Sequence, residues 1–233
     1  MGVRPVTRHV FQVSLTMVNV FLIVLPDGIT MVDAGLPDSF PKIAKAITGL
    51  GRRPEEVTDI VVTHLHADHT GGLADAKRAT GARVWMHPLD ARLVGAGESR
   101  RPAVPAPGSV TGHLFRLFAG MTSGKVTPVA ADRLVDDHQE IPVAGGMLPV
   151  FTPGHTAGHV AYLWARDGGV VFVGDAAARR RRLTVSPIYE DYEQGMESLR
   201  GLAGLDFQVA CFSHGKPLTE DAAAVFAQTW GRP

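Results

Sequence analysis

A short run of metal-binding residue types stands out near position 64 of the chain. Three histidines and one aspartate occur within six residues, namely His64, His66, Asp68 and His69. Packing explains such a cluster poorly, because each buried imidazole or carboxylate needs its own hydrogen-bonding partner. Neutral imidazole and carboxylate are ligands that zinc, iron and manganese accept. The run therefore predicts a transition-metal site.

The backbone expected around this run would bring the side chains to a common point. The run follows a predicted buried strand, and side chains of an extended chain alternate between two faces. His64 and His66 therefore point to one side, whereas Asp68 and His69 approach from another direction after the chain bends. Gly71 and Gly72 are expected to let the backbone turn into the next helix.

Four clustered ligands do not complete the coordination of two ions, and three more candidates follow later in the chain. Each comes shortly after a predicted strand: His155, Asp175 and His214. The ends of several strands can meet at one rim of a sheet sandwich, where functional loops usually lie on a rigid scaffold. We therefore expect these three side chains to join the early cluster in space.

The elements that must position these residues fall into two similar batches, one in each half of the chain. Apolar periodicity, with Gly and Pro at the boundaries, predicts both strands and helices. The predicted strands are His9–Thr16, Asn19–Leu25, Ile29–Val32, Asp59–Thr63, Ala82–Met86, Met147–Phe151, His159–Ala165, Gly169–Val173 and Phe207–Phe212. The predicted helices lie between Asp38 and Gly51 and at Leu73–Thr80, Tyr192–Ala203 and Glu220–Trp230. Two sheets packed together, with the helices outside, would bury both batches.

The length and the even composition predict one domain. A chain of 233 residues fits a single two-sheet domain, and it shows no short repeat and no low-complexity linker. The region from about Gly95 to Pro128 differs, because it is rich in Gly and Pro and carries an apolar stretch from Leu114 to Met121. We interpret residues 95–128 as a lid or insertion with a short amphipathic helix; a helix packed on the core is the alternative.

Charge and cysteine content narrow the possible partners and the compartment. Lys plus Arg and Asp plus Glu both number 23, which argues against a nucleic-acid partner bound through its phosphates. The one local surplus, Arg179–Arg182, is interpreted as a solvated loop.

Cys211 is the only cysteine, so no intramolecular disulfide forms and a reducing compartment is expected. The first residues lack the apolar core of a signal peptide, and Val20–Leu25 is too short to cross a bilayer. A cytoplasmic protein without a membrane partner follows.

The order of these residues resembles the metallo-β-lactamase superfamily, particularly its glyoxalase II-like and lactonase-like hydrolases. The likeness runs from Asn19 and the segment Val32–Gly35, through the histidine run, to Ser213–Gly215. Only the region from Gly95 to Pro128 and the termini lie outside it. The resemblance implies an α/β fold, an αββα sandwich of two mixed β-sheets flanked by helices. It is specific for this fold and weakly specific for substrate.

The resemblance also implies a ligand set and a reaction. The first metal ion would be bound by His64, His66 and His155. The second would be bound by Asp68, His69 and His214. Asp175 would bridge both ions, and Asp33 would support the ligands from behind. Zinc is the favoured metal for both ions, with iron and manganese left open. A hydroxide held between the ions would attack the carbonyl of a small ester, lactone or thioester, and Asp68 would orient it and carry a proton.

Two other functions remain open at this point. A persulfide dioxygenase-like oxidoreductase would bind one iron at His64, His155 and Asp175; the pair Ala67-Asp68 resembles that family, whereas Gly71-Gly72 is more typical of hydrolases. A non-catalytic sensor that keeps the metals is the second alternative. Glyoxalase II and true β-lactamase activity are both disfavoured, the first because no basic cluster is clearly assignable to glutathione. The small-molecule substrate is unspecified, and a homodimer is left open.

The remaining candidates receive ordinary structural interpretations. His159 begins a predicted strand and is interpreted as structural. Four other histidines are expected in loops or at the surface: His9, His87, His113 and His138. Tyr189 and Tyr192 are assigned to packing in preference to the pocket. Lys125, Arg179 or Arg181 could hold an anionic group of the substrate, a choice that the sequence does not decide.

Overall fold

The computed structural model describes residues 2–119 and 124–231, with the side chains of residues 115–119 left out. The strands are β1 (Val3–Pro5), β2 (Val10–Ser14), β3 (Asn19–Leu25), β4 (Gly28–Val32), β5 (Val57–Val61), β6 (Arg83–Met86), β7 (Val104–Pro105), β8 (Arg133–Leu134), β9 (Leu148–Phe151), β10 (Val160–Trp164), β11 (Val170–Gly174), β12 (Ala177–Arg179), β13 (Leu183–Val185), β14 (Ile188–Tyr189) and β15 (Val209–Phe212). The α-helices are α1 (Phe40–Gly49), α2 (Ala67–Thr70), α3 (Leu73–Thr80), α4 (Pro88–Gly95), α5 (Val110–Ala119), α6 (Tyr192–Leu202) and α7 (Ala222–Trp230), and a 3₁₀ helix spans Pro54–Glu56.

Two mixed sheets carry the fold. The first has the order β1-β2-β3-β4-β5-β6-β8, antiparallel up to β4 and parallel from β4 to β8. The second has the order β15-β11-β10-β9, in which only the pair β11 and β15 is parallel. Two short ribbons, β12 with β13 and β7 with β14, lie beside them.

The buried side chains form three layers of core, which explains why the helices lie outside. Strand β3 alternates, since Val20 and Leu22 belong to the outer layer of the first sheet and Phe21 and Ile23 to the layer between the sheets. The outer layer of the first sheet also receives apolar residues of α1, α3 and α4. That of the second sheet receives α6 and α7. Both faces of each sheet are therefore buried, and the expected αββα arrangement is confirmed.

Helix α1 illustrates how the sequence pattern produces this packing. Phe40, Ile43 and Ile47 lie three and four residues apart, on one helical face, and all three are buried. Proline stands in the first turn of the helix, where its missing N–H has no partner to lose. The helix therefore packs on the first sheet through a single stripe of apolar side chains.

Most predicted elements match the structure within two or three residues, but several short elements were not predicted. Helix α4 and the ribbons are the main omissions. The ribbon strands are only two or three residues long, and α4 buries Asp90 beside Ala91 and Val94, which interrupts its apolar pattern. The amphipathic helix expected after Leu114 corresponds in part to α5, whereas Met121 lies outside the described residues. The lid interpretation of residues 95–128 stays a prediction. Across the residues that the structure describes, no helix has both the length and the apolar content that a membrane crossing requires.

Candidate metal centre

The candidate ligands meet at one rim of the sandwich because the relevant strands end there. Asp33 follows β4 and the histidine run follows β5, its parallel neighbour. Asp175 follows β11, and His214 comes two residues after β15, again a parallel pair. The sheets are joined at this rim, since the backbone N–H of Val160 donates to the carbonyl of Thr63 at 2.9 Å.

Three imidazoles form the first group of candidate ligands. Nδ1 of His66 lies 3.1 Å from Nε2 of His64 and 3.0 Å from Nε2 of His155. Burial lowers the pKa of His64 and His155. Burial, with a smaller repulsion from a protonated His155, lowers the pKa of His66 to about 3. All three imidazoles are therefore neutral at physiological pH, which is the form that binds a metal ion.

Asp68, His69 and His214 form the second group. Nε2 of His214 lies 3.3 Å from Oδ2 of Asp68, and Nε2 of His69 lies 3.6 Å from the same oxygen. The candidate ligand atoms within each of the two groups lie within 4.8 Å of one another. The run near position 64 thus contributes to both groups.

Asp175 lies between the two groups. Its Oδ2 is 3.5 Å from Nε2 of His155 and 3.3 Å from Nε2 of His214, and its Oδ1 is 3.6 Å from Nε2 of His69. The carboxylate therefore faces imidazoles of both groups. This is the position that a ligand shared by two ions would take.

Two buried atoms at the centre fit a cation. Nε2 of His69 and Oδ1 of Asp175 are buried, and neither has a hydrogen-bonding partner among the described residues. Buried polar atoms without a partner are rare, because each loses its hydration without compensation. Coordination of a metal ion by each atom would satisfy both, so the residues present fit a metal centre.

The charges of the second group reflect the dense packing of acids and imidazoles. Burial alone would lower the pKa of His69, but Asp68, Asp33 and Asp175 outweigh it and raise the pKa to about 9. Asp175 raises the pKa of His214 to about 11 against the effect of burial. Without an ion both imidazoles are therefore protonated at neutral pH. A metal ion would replace these protons as the counter-charge of the carboxylates.

Four of the five candidate histidine ligands direct Nε2 to the centre, because their Nδ1 atoms form hydrogen bonds on the opposite side of the ring. Nδ1 of His69 lies 2.8 Å from Oδ2 of Asp33, and Nδ1 of His64 lies 3.0 Å from Oγ1 of Thr63. In the same way, Nδ1 of His155 donates to the carbonyl of Ile188 at 2.9 Å. Nδ1 of His214 donates to the carbonyl of Met17 at 2.8 Å. Such bonds orient a metal ligand and select its tautomer.

Asp33 adopts an unusual backbone conformation to reach its partners. Its φ is 62°, in the left-handed region that aspartate tolerates better than most residues. Oδ1 of its carboxylate accepts the backbone N–H of Thr63 at 2.8 Å, while Oδ2 faces His69. These contacts place the Asp33 carboxylate against His69, and its supporting role at a metal ion stays a prediction.

The two glycines after the histidine run serve a purpose different from the one predicted. Neither Gly71 nor Gly72 has a positive φ, so no special turn is required. A Cβ on Gly71 would lie 2.3 Å from Pro37, and one on Gly72 would lie 2.3 Å from the carbonyl oxygen of Ala34. The glycines therefore allow the segment after Asp33 to pack closely against the run.

His159 is buried but belongs to neither ligand group. Its Nδ1 bonds to Oγ1 of Thr152 at 2.8 Å, and its Nε2 accepts the backbone N–H of Asp175 at 3.0 Å. Both ring nitrogens of His159 are therefore occupied by these bonds, and the second bond fixes the backbone that carries Asp175. His9 pairs with Asp167 at 2.8 Å, and His87 stacks on Phe151 with ring centroids 4.5 Å apart.

Sequence reasoning missed a buried carboxylate that connects two ligand loops. Asp90, in α4, is fully buried. It accepts the backbone N–H of Leu65 at 3.0 Å, the hydroxyl of Thr156 at 2.8 Å and the backbone N–H of Gly158 at 3.1 Å. Nη1 of Arg101 also donates to it at 2.7 Å. An aspartate early in a helix resembles an ordinary capping residue, so nothing in the local pattern reveals this role.

A pocket of about 560 Å³ opens over the candidate metal centre. His66, Asp68, His155, Asp175 and His214 contribute to its floor. Apolar walls come from Met17, from the start of α5 with the turn before it, and from residues 185–188. Tyr189 is fully buried and is not among the lining residues; its hydroxyl accepts the backbone N–H of Ser186 at 2.9 Å. A small substrate can therefore reach the carboxylates and imidazoles directly.

The two-sheet fold and the paired ligand groups are those of a metal-dependent hydrolase. The family model of the metallo-beta-lactamase superfamily matches residues 13–214. The chain therefore belongs to the metallo-beta-lactamase superfamily.

Individual relatives agree with this assignment at low identity. The chain is 26% identical over 229 residues to the probable metallo-hydrolase YflN of Bacillus subtilis, covering 91% of this chain and 86% of the relative. It is 30% identical over 120 residues to a hydroxyacylglutathione hydrolase of Pseudomonas aeruginosa, covering 51% of this chain and 33% of that enzyme. The solved structure of Rm3 metallo-beta-lactamase superposes with a TM-score of 0.73 at 26% identity, over 92% of this chain and 78% of that one.

Proposed function

We propose that the rim residues bind two divalent metal ions, preferably zinc, and that the enzyme hydrolyses small esters, lactones or thioesters. In this assignment His64, His66 and His155 hold one ion, and Asp68, His69 and His214 hold the other. Asp175 serves both, and Asp33 supports His69. The observation that carries the proposal is the convergence of both ligand groups around Nε2 of His69 and Oδ1 of Asp175, two buried atoms that have no partner in the part of the chain that the structure describes.

A bound pair of divalent ions supplies Lewis acidity, lowering the pKa of water and polarising a carbonyl oxygen. The protein residues supply orientation and proton transfer. The side chain of Asp68 is 27% exposed at the pocket floor, so its carboxylate can orient the attacking water and accept a proton from it. The same carboxyl can then protonate the leaving group. No serine or cysteine nucleophile is needed in this scheme.

The pocket walls favour a substrate with an apolar part. Met17 and Val110 are 65% and 73% exposed, and both line the pocket together with Ile188. Exposed apolar side chains gain by covering a ligand, at about 25 cal/mol per Å² of buried surface. These walls would also exclude water from the reacting carbonyl once the substrate is bound.

Elemental analysis of protein purified without added metal tests the proposal first. We expect close to two ions per chain, followed by turnover of one or more members of an ester, lactone and thioester panel in the presence of that metal. His214→Ala should lose one ion and keep the other, because only the second group loses a ligand. His138→Asn is the control, since His138 is 58% exposed at a left-handed position that asparagine tolerates. Full metal occupancy without any turnover would favour the sensor alternative.

The iron-dependent oxidoreductase remains the competing proposal and has a distinct signature. It requires one iron per chain and oxygen consumption on glutathione persulfide. The complete second group, Asp68 with His69 and His214, supports the two-ion hydrolase instead. The similarity to hydroxyacylglutathione hydrolase supports a thioester among the candidate substrates. A cytoplasmic location and a homodimer stay predictions.

A further inference from the structure

The arginine run at 179–182 forms the turn of a short ribbon at the pocket. Strands β12 and β13 pair antiparallel, with Ala178 opposite Thr184. Residues 180–182 lie in the bend between the two strands. Arg180 and Arg182 line the pocket together with the strand residues Ala177, Ala178, Thr184 and Val185. Two of the four arginines of the run therefore line the pocket, whereas Arg179 and Arg181 are not among its lining residues.

The other two arginines of the run have different surroundings. Nη1 of Arg179 donates to the carbonyl of Pro217 at 2.8 Å, so this side chain braces the ribbon. Arg181 is exposed, as Arg180 and Arg182 are, but it is not among the lining residues. The sequence suggested Lys125, Arg179 or Arg181 for an anion contact, and none of the three is among the described residues that line the pocket.

The ribbon is fastened to the segment that carries His214. The backbone N–H of Arg179 donates to the carbonyl of His214 at 3.0 Å, and that of Lys216 donates to the carbonyl of Arg179 at 2.9 Å. Between them Gly215 has a φ of 119°, and a Cβ there would lie 1.9 Å from the carbonyl oxygen of Arg179. The arginine turn therefore has a defined position relative to a candidate metal ligand.

The charges around the pocket leave these two cations without a counter-charge. Among the described lining residues the carboxylates are Asp68 and Asp175, and both belong to the candidate ligand set. Within the part of the chain that the structure describes, neither Arg180 nor Arg182 forms an ion pair. A guanidinium stays charged at all physiological pH values and matches carboxylate and phosphate oxygens in geometry.

We propose that Arg180 and Arg182 bind an anionic group of the substrate, a carboxylate or a phosphate, while the ester carbonyl lies at the metal centre. The inference rests on the proposed hydrolase function and narrows its substrates to anionic esters or thioesters with an apolar part. The apolar part contacts the wall formed by Met17, Val110 and Ile188. The anionic group lies on the arginine side of the same pocket.

Three aryl acetates that differ in one para substituent test the inference. They are 4-acetoxybenzoate, 4-acetoxyphenyl phosphate and the neutral 4-acetoxybenzamide, and the first two distinguish a carboxylate from a phosphate. The ratio of kcat/KM for the anionic and the neutral ester is measured in the wild-type holoenzyme and in the double variant Arg180→Gln/Arg182→Gln. We expect this ratio to fall about tenfold or more in the double variant, mainly through KM, because charge-assisted hydrogen bonds to the anion are lost.

The control variant Arg181→Gln/Arg200→Gln removes the same formal charge from exposed positions. Its ratio should stay within about twofold of the wild type, since exposed charges away from the pocket are screened by salt. An equal loss in both double variants would assign the effect to the net charge of the protein and overturn the inference. An unchanged ratio in the pocket variant would overturn it as well.

A binding measurement separates this inference from the proposed function. The affinities of holoenzyme for 4-hydroxybenzoate, 4-hydroxyphenyl phosphate and 4-hydroxybenzamide are compared by calorimetry in the same three proteins. Contacts of the anion with metal ions are common to all three, so a loss confined to the pocket variant reports the arginines. Loss of anion binding without turnover of any ester would retain the arginine site and reject the hydrolase. Turnover of the neutral ester, with equal anion affinity in the wild type and the pocket variant, would retain the hydrolase and reject the arginine site.

Discussion

Oδ2 of Asp90 accepts the backbone N–H of Leu65 at 3.0 Å, in the middle of the histidine run. The same oxygen accepts the hydroxyl of Thr156, next to His155. One buried carboxylate thus connects the loop of His64 and His66 to the loop of the third imidazole of the first group. The two loops lie about ninety residues apart in the sequence. The hydrogen bonds to Asp90 fix their relative position without any metal ion.

Asp90→Ala should destabilise the protein strongly. The change leaves the donors of the two ligand loops without their acceptor and leaves Arg101 with Glu190 as its remaining carboxylate. Breaking a buried ion pair in this way costs about 3–5 kcal/mol. Urea unfolding of the metal-free protein measures the loss. Asp75→Asn is the control: it removes a carboxylate from an exposed pair with Arg78 and should change the free energy of unfolding by less than about 0.5 kcal/mol. Similar effects of both substitutions would contradict the role of Asp90.

Asp68→Ala should abolish turnover and weaken the ion of the second group. We expect kcat to fall by at least about 100-fold, because proton transfer by a positioned carboxylate contributes on that order. Steady-state kinetics and elemental analysis measure the two effects. Asp206→Asn, at an exposed position, should leave both unchanged. Near-normal rates in Asp68→Ala would show that this carboxylate neither binds metal nor moves a proton.

Asp33 and Asp38 provide a matched pair for testing the support of His69. Both have left-handed backbones, with φ of 62° and 61°, so alanine introduces a similar strain of about 1–2 kcal/mol at each. Only Asp33 holds Nδ1 of His69. Asp33→Ala should therefore weaken metal binding about 10–100-fold, as measured by competition with a chelator, whereas Asp38→Ala should not. Equal affinities in the two variants would remove Asp33 from the metal centre.

Metal binding should release protons and weaken as the pH falls. In the metal-free protein the pKa is raised to about 9 at His69 and to about 11 at His214, so both imidazoles carry a proton at pH values near 7.5. Each must lose that proton to bind an ion, which predicts release of about two protons per chain. Calorimetric titration in two buffers of different ionisation enthalpy measures this number. Binding without proton release would contradict the participation of these imidazoles.

The sequence predicted the candidate ligands better than the contacts that hold them. His64, His66, Asp68 and His69 form a dense local pattern, and the order of His155, Asp175 and His214 completed it through family resemblance. Asp90 escaped prediction because its partners lie in other loops and its own surroundings look like an ordinary helix start. The division of the arginine run was equally hidden, since it depends on a ribbon too short to produce a periodic signal.

The single thiol of the chain, Cys211, lies fully buried in the layer between the two sheets, and burial raises its pKa far above the ordinary range. An alkylating reagent needs both the thiolate and access to it, and neither exists while the sandwich is closed. The rate at which Cys211 of the wild-type protein is alkylated therefore reports how often the two sheets separate. The candidate ligands come from both sheets. The ratio of the alkylation rates with and without bound ions therefore measures how much the ions stabilise the packing of the two sheets against each other.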